Sequence, residues 1–269
     1  MRPDISEFTY GFAITDEIIH NRHKPITTAP VFPSLYEEGQ TGGGYDVSIH
    51  RIGIPLFLQF KLSHYFSRSN AREIRDGTFN GPYYRMYLRP LRHSNQHNLL
   101  LGLEHGGNKV YYCAPIFYMS AELNDAFLNH RVPNRSLWIK PLWIGVLPDN
   151  DLHYVAFQSN RNKHLRSEKK KLIEQSADYE DFTEDIYNAI KEKGHEALKP
   201  ENLVKLANFM SKIFKENIDI DEEEWEEKDE ILKKSSPIRR IAFYSSVYFD
   251  CQLYVASLME NFQQKSDLK

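Results

Sequence analysis

Apolar and polar positions alternate most sharply in two neighbouring stretches, Gly44-Tyr45-Asp46-Val47-Ser48-Ile49 and Leu56-Phe57-Leu58-Gln59-Phe60-Lys61. Strand side chains point to opposite faces in turn. Leu56, Leu58, Phe60 and Leu62 therefore share one face, and Phe57, Gln59, Lys61 and Ser63 share the other. Gly53 and Pro55 punctuate the gap and predict a hairpin turning near residues 52 and 53. That register sets Asp46 opposite Gln59, with Lys61 two positions along. A carboxylate, an amide and an ammonium then meet on one face of a mostly apolar strand. Such a set suits a hard divalent cation beside a phosphate, with Asp46 and the Gln59 carbonyl as oxygen donors and Lys61 as the stabilising cation. A half-solvated hairpin with a wet polar face is the plain structural alternative.

Around this hairpin the periodicity predicts further elements. A first helix, capped by Asp4 or Ser6, runs to about Asn21 with Phe8, Phe12 and Ile19 as its apolar stripe. Pro25, Pro30 and Pro33 make residues 24–35 an extended connection. Residues 82–90 alternate as a strand, Ser94–Glu104 read as a short helix ended by Gly106-Gly107, and 109–115 read as a buried strand. A helix over 121–129 and strands over 136–147 and 152–158 follow. After about residue 160 the pattern turns helical, at 181–193, 200–215 and 238–262. The expected division is therefore a domain over 1–160 and a mostly helical region over 161–269.

A length of 269 residues, 41% of them hydrophobic, is enough for a substantial core. A net charge of −3 gives no global attraction to nucleic acid. Locally, residues 68–92 carry six arginines, Arg68, Arg72, Arg75, Arg85, Arg89 and Arg92, against two acids, Glu73 and Asp76, a surplus of four. The planar guanidinium fork fits phosphate oxygens, so this segment is a candidate nucleic-acid surface. Gln96, His97, Glu104 and His105 lie on or after the short helix, and His97 is a candidate contact to a scissile phosphate. Residues 219–230 hold nine acids in twelve positions. A solvated helix edge is the plain reading, and a docking patch for a basic partner the sharper one. Two cysteines, Cys113 and Cys251, exclude a disulfide framework or a cysteine-based zinc site, and a reducing, cytoplasmic setting fits. No apolar run reaches the roughly 18 residues needed to span a membrane, and no apolar signal core follows Met1.

With these residues in view, the chain resembles the PD-(D/E)XK nuclease superfamily, most nearly its Mrr-like restriction endonucleases, which carry a Gly-x-Asp strand followed by a Gln-x-Lys strand. Gly44-Tyr45-Asp46 and Gln59-Phe60-Lys61 supply those motifs. The resemblance implies an α/β (α+β) fold with an αβββαβ core around a mixed central sheet. It also implies hydrolysis of DNA or RNA phosphodiester bonds with Mg²⁺ or Mn²⁺, in a setting of bacterial restriction or antiphage defence. Asp46 would be the main metal ligand, Gln59 would stand where relatives often have an acid, and Lys61 would assist water or the developing phosphorane. A glutamate from the first helix often completes such a site. Glu17 fits that place, Glu7 and Asp16 compete with it, and Glu37 or Glu38 could reach the metal instead. The expected partners are nucleic acid, through Arg68, Arg72, Arg85, Arg89 and His97, and a protein or a second copy of the chain through the C-terminal region. The alternative is a nuclease-like binding module without chemistry.

Overall fold

A computed structural model describes residues 1–20, 30–31, 52–159, 162–166, 170–175, 177–218 and 220–258. Its elements are α1 (Glu7–His20), β1 (Gly53–Phe60), β2 (Ser63–Phe66), α2 (Arg72–Arg75), β3 (Tyr83–Tyr87), α3 (Gln96–His105), β4 (Lys109–Pro115), α4 (Ser120–Leu128), β5 (Ser136–Ile139), α5 (Pro141–Ile144), β6 (Tyr154–Ser159), β7 (Asn162–Arg166), β8 (Lys170–Ile173), α6 (Tyr179–Ala197), α7 (Pro200–Asn217), α8 (Glu222–Lys233), α9 (Pro237–Phe243) and β9 (Gln252–Ser257).

The eight residues of β1 are all buried, as a near-continuous apolar run requires. Its neighbours make a mixed sheet in the order β5-β4-β1-β9, with β1 parallel to β4 and antiparallel to β9. A parallel pair needs a crossover, and α3 is its helix. Leu56, Leu58 and Phe60 pack with Tyr10, Ile14 and Ile18 of α1 and with Phe182, Ile186 and Ile190 of α6. Phe57 joins the opposite core, with Leu99, Leu100 and Leu103 of α3 and Ala207 and Met210 of α7. The two-face alternation expected for 56–61 is thus what the core uses.

The hairpin expectation fails on the described side. Gly53, Ile54 and Pro55 are strand residues rather than a turn, paired with Ser257, Ala256 and Val255. From Leu56 to Leu58 both edges of β1 are occupied, by β4 and β9. The slots that 47–49 were expected to fill are therefore taken by a strand from the C-terminal part of the chain. Residues 32–51 lie outside the described residues.

A second sheet, β2-β3-β6-β7-β8, is wholly antiparallel. Its inner face contributes Met86, Val155, Phe157 and Leu165 to the core shared with α3 and α7. The strand expected over 82–90 forms at Tyr83–Tyr87 and belongs to this second sheet, not to the sheet of β1.

Nor does the chain divide at residue 160. That point falls between β6 and β7, which pair with each other, while β9 returns to the first sheet and α6 packs under β1. The expected helix over 238–262 ends early: α9 gives way to a π-helical turn over Tyr244–Tyr248, and β9 follows. The apolar stripe of α1 is also corrected. Phe8 and Phe12 are 83% and 59% exposed, and Tyr10, Ile14 and Ile18 form the buried face. The acidic block is a helix, α8, with Trp225 and Asp229 buried one turn apart and the other acids of the helix outward. Asp229 accepts from Arg240 (3.0 Å), Ser211 (3.2 Å) and Tyr244, which pins α8 to α7 and α9.

Candidate functional site

The end of β1 is where its polar residues gather. Lys61 continues the β1–β4 ladder through its backbone N–H, which donates to the Cys113 carbonyl at 2.9 Å. Its Nζ donates to Gln96 Oε1 at 2.8 Å. Gln96, the first residue of α3, passes the chain on: its Nε2 donates to Gln59 Oε1 (3.0 Å), to Asp250 Oδ2 (2.9 Å) and to the Asp250 carbonyl (3.2 Å). Gln59 Nε2 donates to the Phe60 carbonyl at 2.8 Å. Arg89 closes the outer end with an ion pair to Asp250 Oδ2 at 2.6 Å.

Register explains why Asp250 arrives here. Leu58 pairs with Gln252, so the residues preceding β9 lie beside Gln59 and Phe60. Asp250 adopts φ of +49°, left-handed backbone that aspartate tolerates better than most residues. The π-helical turn over Tyr244–Tyr248 ends just before it. Both are uncommon local structures, costly for a chain and frequent at functional sites.

Glu7, at the N-terminus of α1, completes the charge pattern. A cleft of about 230 Å³ opens beside it, lined by Glu7, Phe8, Gln59, Ser246, Asp250 and Cys251 among others. Desolvation raises the Glu7 carboxyl above its ordinary range and Asp250 adds to that, against the pull of Lys61 and Arg89. The Lys61 ammonium is nearly inaccessible, and burial lowers its pKa while Glu7 and Asp250 pull it back up. Two anions and two cations therefore face one another at the carboxyl end of a parallel strand pair, the end at which open α/β sheets bind ligands.

Of the residues expected here from sequence, Gln59, Lys61 and Arg89 converge. Asp46, Glu37 and Glu38 lie outside the described residues. Glu17 is elsewhere: ten residues along α1 is about 15 Å from Glu7, and its carboxylate accepts the Val132 backbone N–H at 3.1 and 3.3 Å. Burial pushes its pKa up to about 7, with Asp16 adding to the rise.

His97 is a core residue rather than a phosphate contact. It is buried between the Tyr112 hydroxyl (3.1 Å) and the Gly145 carbonyl (2.8 Å), and desolvation holds its pKa down at about 4. Arg85 is also engaged internally, pairing with the buried Glu73 carboxylate at 2.5 Å. Arg68 and Arg72 are exposed. Glu7 was expected here only as a competitor of Glu17, and Gln96 only as a polar residue of the short helix. Sequence reasoning missed Asp250, which carries no local signal.

Comparison with protein-family models, with curated proteins and with solved structures gave no match. Among the described residues no helix is long and apolar enough to cross a membrane. Among them, too, no three His, Cys, Asp or Glu side chains gather as a ready metal site.

Proposed function

We propose that the chain is a metal-dependent nuclease that hydrolyses DNA phosphodiester bonds at the Gln59–Lys61 end of β1. The observation that carries this reading is the linked set Lys61–Gln96–Gln59–Asp250, in which a nearly inaccessible ammonium and hard oxygen donors share one end of a strand. The resemblance to the PD-(D/E)XK superfamily, and a mixed sheet with α3 linking β1 to β4, agree with it. Asp250 and the Gln59 carbonyl offer hard oxygen donors of the kind Mg²⁺ or Mn²⁺ takes, and the resemblance adds Asp46. The cation would act as a Lewis acid on the phosphate. Lys61, desolvated and close to Glu7 and Asp250, is suited to balance negative charge that develops on phosphate oxygens.

Incubating the purified chain with plasmid, linear and single-stranded DNA and with RNA, in Mg²⁺, Mn²⁺ or EDTA, tests the reading. Cleavage that needs the cation and falls at least a hundredfold in both Lys61→Ala and Asp250→Asn is the expected result. Full activity in both variants would remove the site from consideration.

A second reading is favoured by one observation: the Lys61, Gln96, Gln59, Asp250 and Arg89 side chains already satisfy one another, and their charges with Glu7 cancel. Such a closed network also suits a nuclease-like module that binds nucleic acid, or a protein through the acidic face of α8, without turnover. Binding that survives EDTA, with no cleavage under any condition, identifies that case.

A further inference from the structure

Half-solvated antiparallel sheets ordinarily turn polar side chains outward. The outer face of the second sheet does not. His64 and Phe66 on β2, Tyr83, Arg85 and Tyr87 on β3, and Tyr154 on β6 form a continuous run of rings and one guanidinium. His64 and Tyr87 meet edge-on at 4.9 Å, and Tyr87 meets Tyr154 at 5.5 Å. Phe66 stacks on Tyr83 at 5.3 Å, and the Arg85 guanidinium lies 4.1 Å from the Phe66 ring centre and 4.4 Å from that of Tyr154. Tyr83 is sealed beneath Phe79, whereas His64, Phe66 and Tyr87 remain half-buried.

Among the described residues the exposed charge beside these rings is mostly positive. The Glu73 carboxylate is buried and held by Arg85, Tyr83 and Tyr154, so it projects no charge outward. The α2 segment presents exposed Arg68, Arg72 and Arg75 against exposed Asp76. On the other flank Arg2 and the Met1 ammonium stand close enough to His64 to depress its pKa, after burial and together with Arg85.

We propose that this face is a docking surface for single-stranded nucleic acid, with bases stacking on His64, Phe66 and Tyr87 and phosphates meeting Arg2, Arg68 and Arg72. Rings and cations interleaved on one sheet face are what unpaired bases on a charged backbone require. A duplex keeps its base faces stacked internally and can use only the cations. The surface is distinct from the cleft, yet β2 starts two residues after Lys61, so a strand lying on it is led toward the end of β1. The proposal rests on the nucleic-acid reading for its ligand class and is independent of catalysis.

Fluorescence anisotropy of the full chain in EDTA tests it, with a labelled oligo(dT) of about 20 nucleotides and the matching duplex as probes. The single strand is expected to bind more tightly than the duplex. His64→Ala with Tyr87→Ala should weaken oligo(dT) about tenfold or more, since each stacked base contributes roughly 1–3 kcal/mol. Tyr87→Phe, which keeps the ring, should bind like the wild type. Arg68→Ala with Arg72→Ala, two exposed changes that leave the sheet intact, should flatten the salt dependence by about 1.4 in log–log slope. Oligo(dT) affinity within twofold of wild type in both the ring and the arginine double variants overturns the surface, as does equal binding of single strand and duplex. Loss of cleavage with binding intact would leave the surface standing and bear only on the nuclease reading.

Discussion

Glu17 is a buried carboxyl away from the cleft, and its titration gives a direct check of that environment. With a pKa near 7 when folded and an ordinary value near 4.5 when unfolded, it holds its proton between those limits only in the folded state. By linkage, stability then falls as pH rises from about 4.5 to about 7, by at most about 3 kcal/mol from this group. Glu17→Gln keeps a carbonyl for the Val132 N–H and removes the titration. Its melting temperature should exceed that of the wild type at about pH 8 and lose less between about pH 5 and 8. Glu104, also near 7 and accepting from Leu142 N–H at 2.8 Å, contributes the same trend in both proteins. Identical pH profiles for the two would refute the assignment. His97 works in the other direction. Its folded pKa of about 4 lies below the ordinary value of 6.5, so acidification through that window destabilises the fold, and His97→Ala should cost about 2–4 kcal/mol by leaving the Tyr112 hydroxyl and Gly145 carbonyl unpaired in a cavity. Urea unfolding at neutral pH measures it.

Among the elements, β1 and α1 depend on close approach. A Cβ on Gly53 would lie 2.6 Å from the Ala256 carbonyl oxygen, a backbone atom that cannot move without parting β1 from β9. Gly53→Ala should therefore cost about 1–3 kcal/mol. Gly11, against the Phe60 ring at 2.9 Å, faces a side chain that can turn and should cost less. A smaller loss at Gly53 than at Gly11 in paired melting curves would contradict the packing. Elements with strong local periodicity were legible: the helix from Glu7, α3, β4, α6 and α7 lie within a few residues of their expected spans. The alternation of 56–61 correctly set Gln59 and Lys61 on one face, and the structure shows that α3 covers it. Strand partners were not legible, since nothing within 83–87 distinguishes pairing with β2 from pairing with β1. Phe8 and Phe12 misled because apolar spacing on α1 names two faces, and only tertiary contact chooses between them.

At the level of the whole molecule, the two sheets and their helices are tied together by segments remote in sequence. β9 supplies an edge of β1 and brings Asp250 to Gln96, a contact across 154 positions. No periodicity encodes such a contact, and the apolar run after Tyr248 reads as helix until the left-handed Asp250 is seen. Removing residues 249–269 should thus do more than delete a tail. It strips β1 of a partner strand and uncovers the β1 edge that Leu253, Tyr254 and Val255 pair with, and limited proteolysis should find β1 protected in the 269-residue chain and cut in the truncated one.

The return of β9 to β1 also sets an order in time. During synthesis Lys61, Arg89 and Gln96 leave the ribosome well before Asp250, by about 8–40 s at roughly 5–20 residues per second. Until then Gln96 has no Asp250 carboxylate to bond, and one side of β1 is open. The cleft is therefore incomplete in a growing chain that has not reached Asp250, and its polar network closes only once β9 has been made.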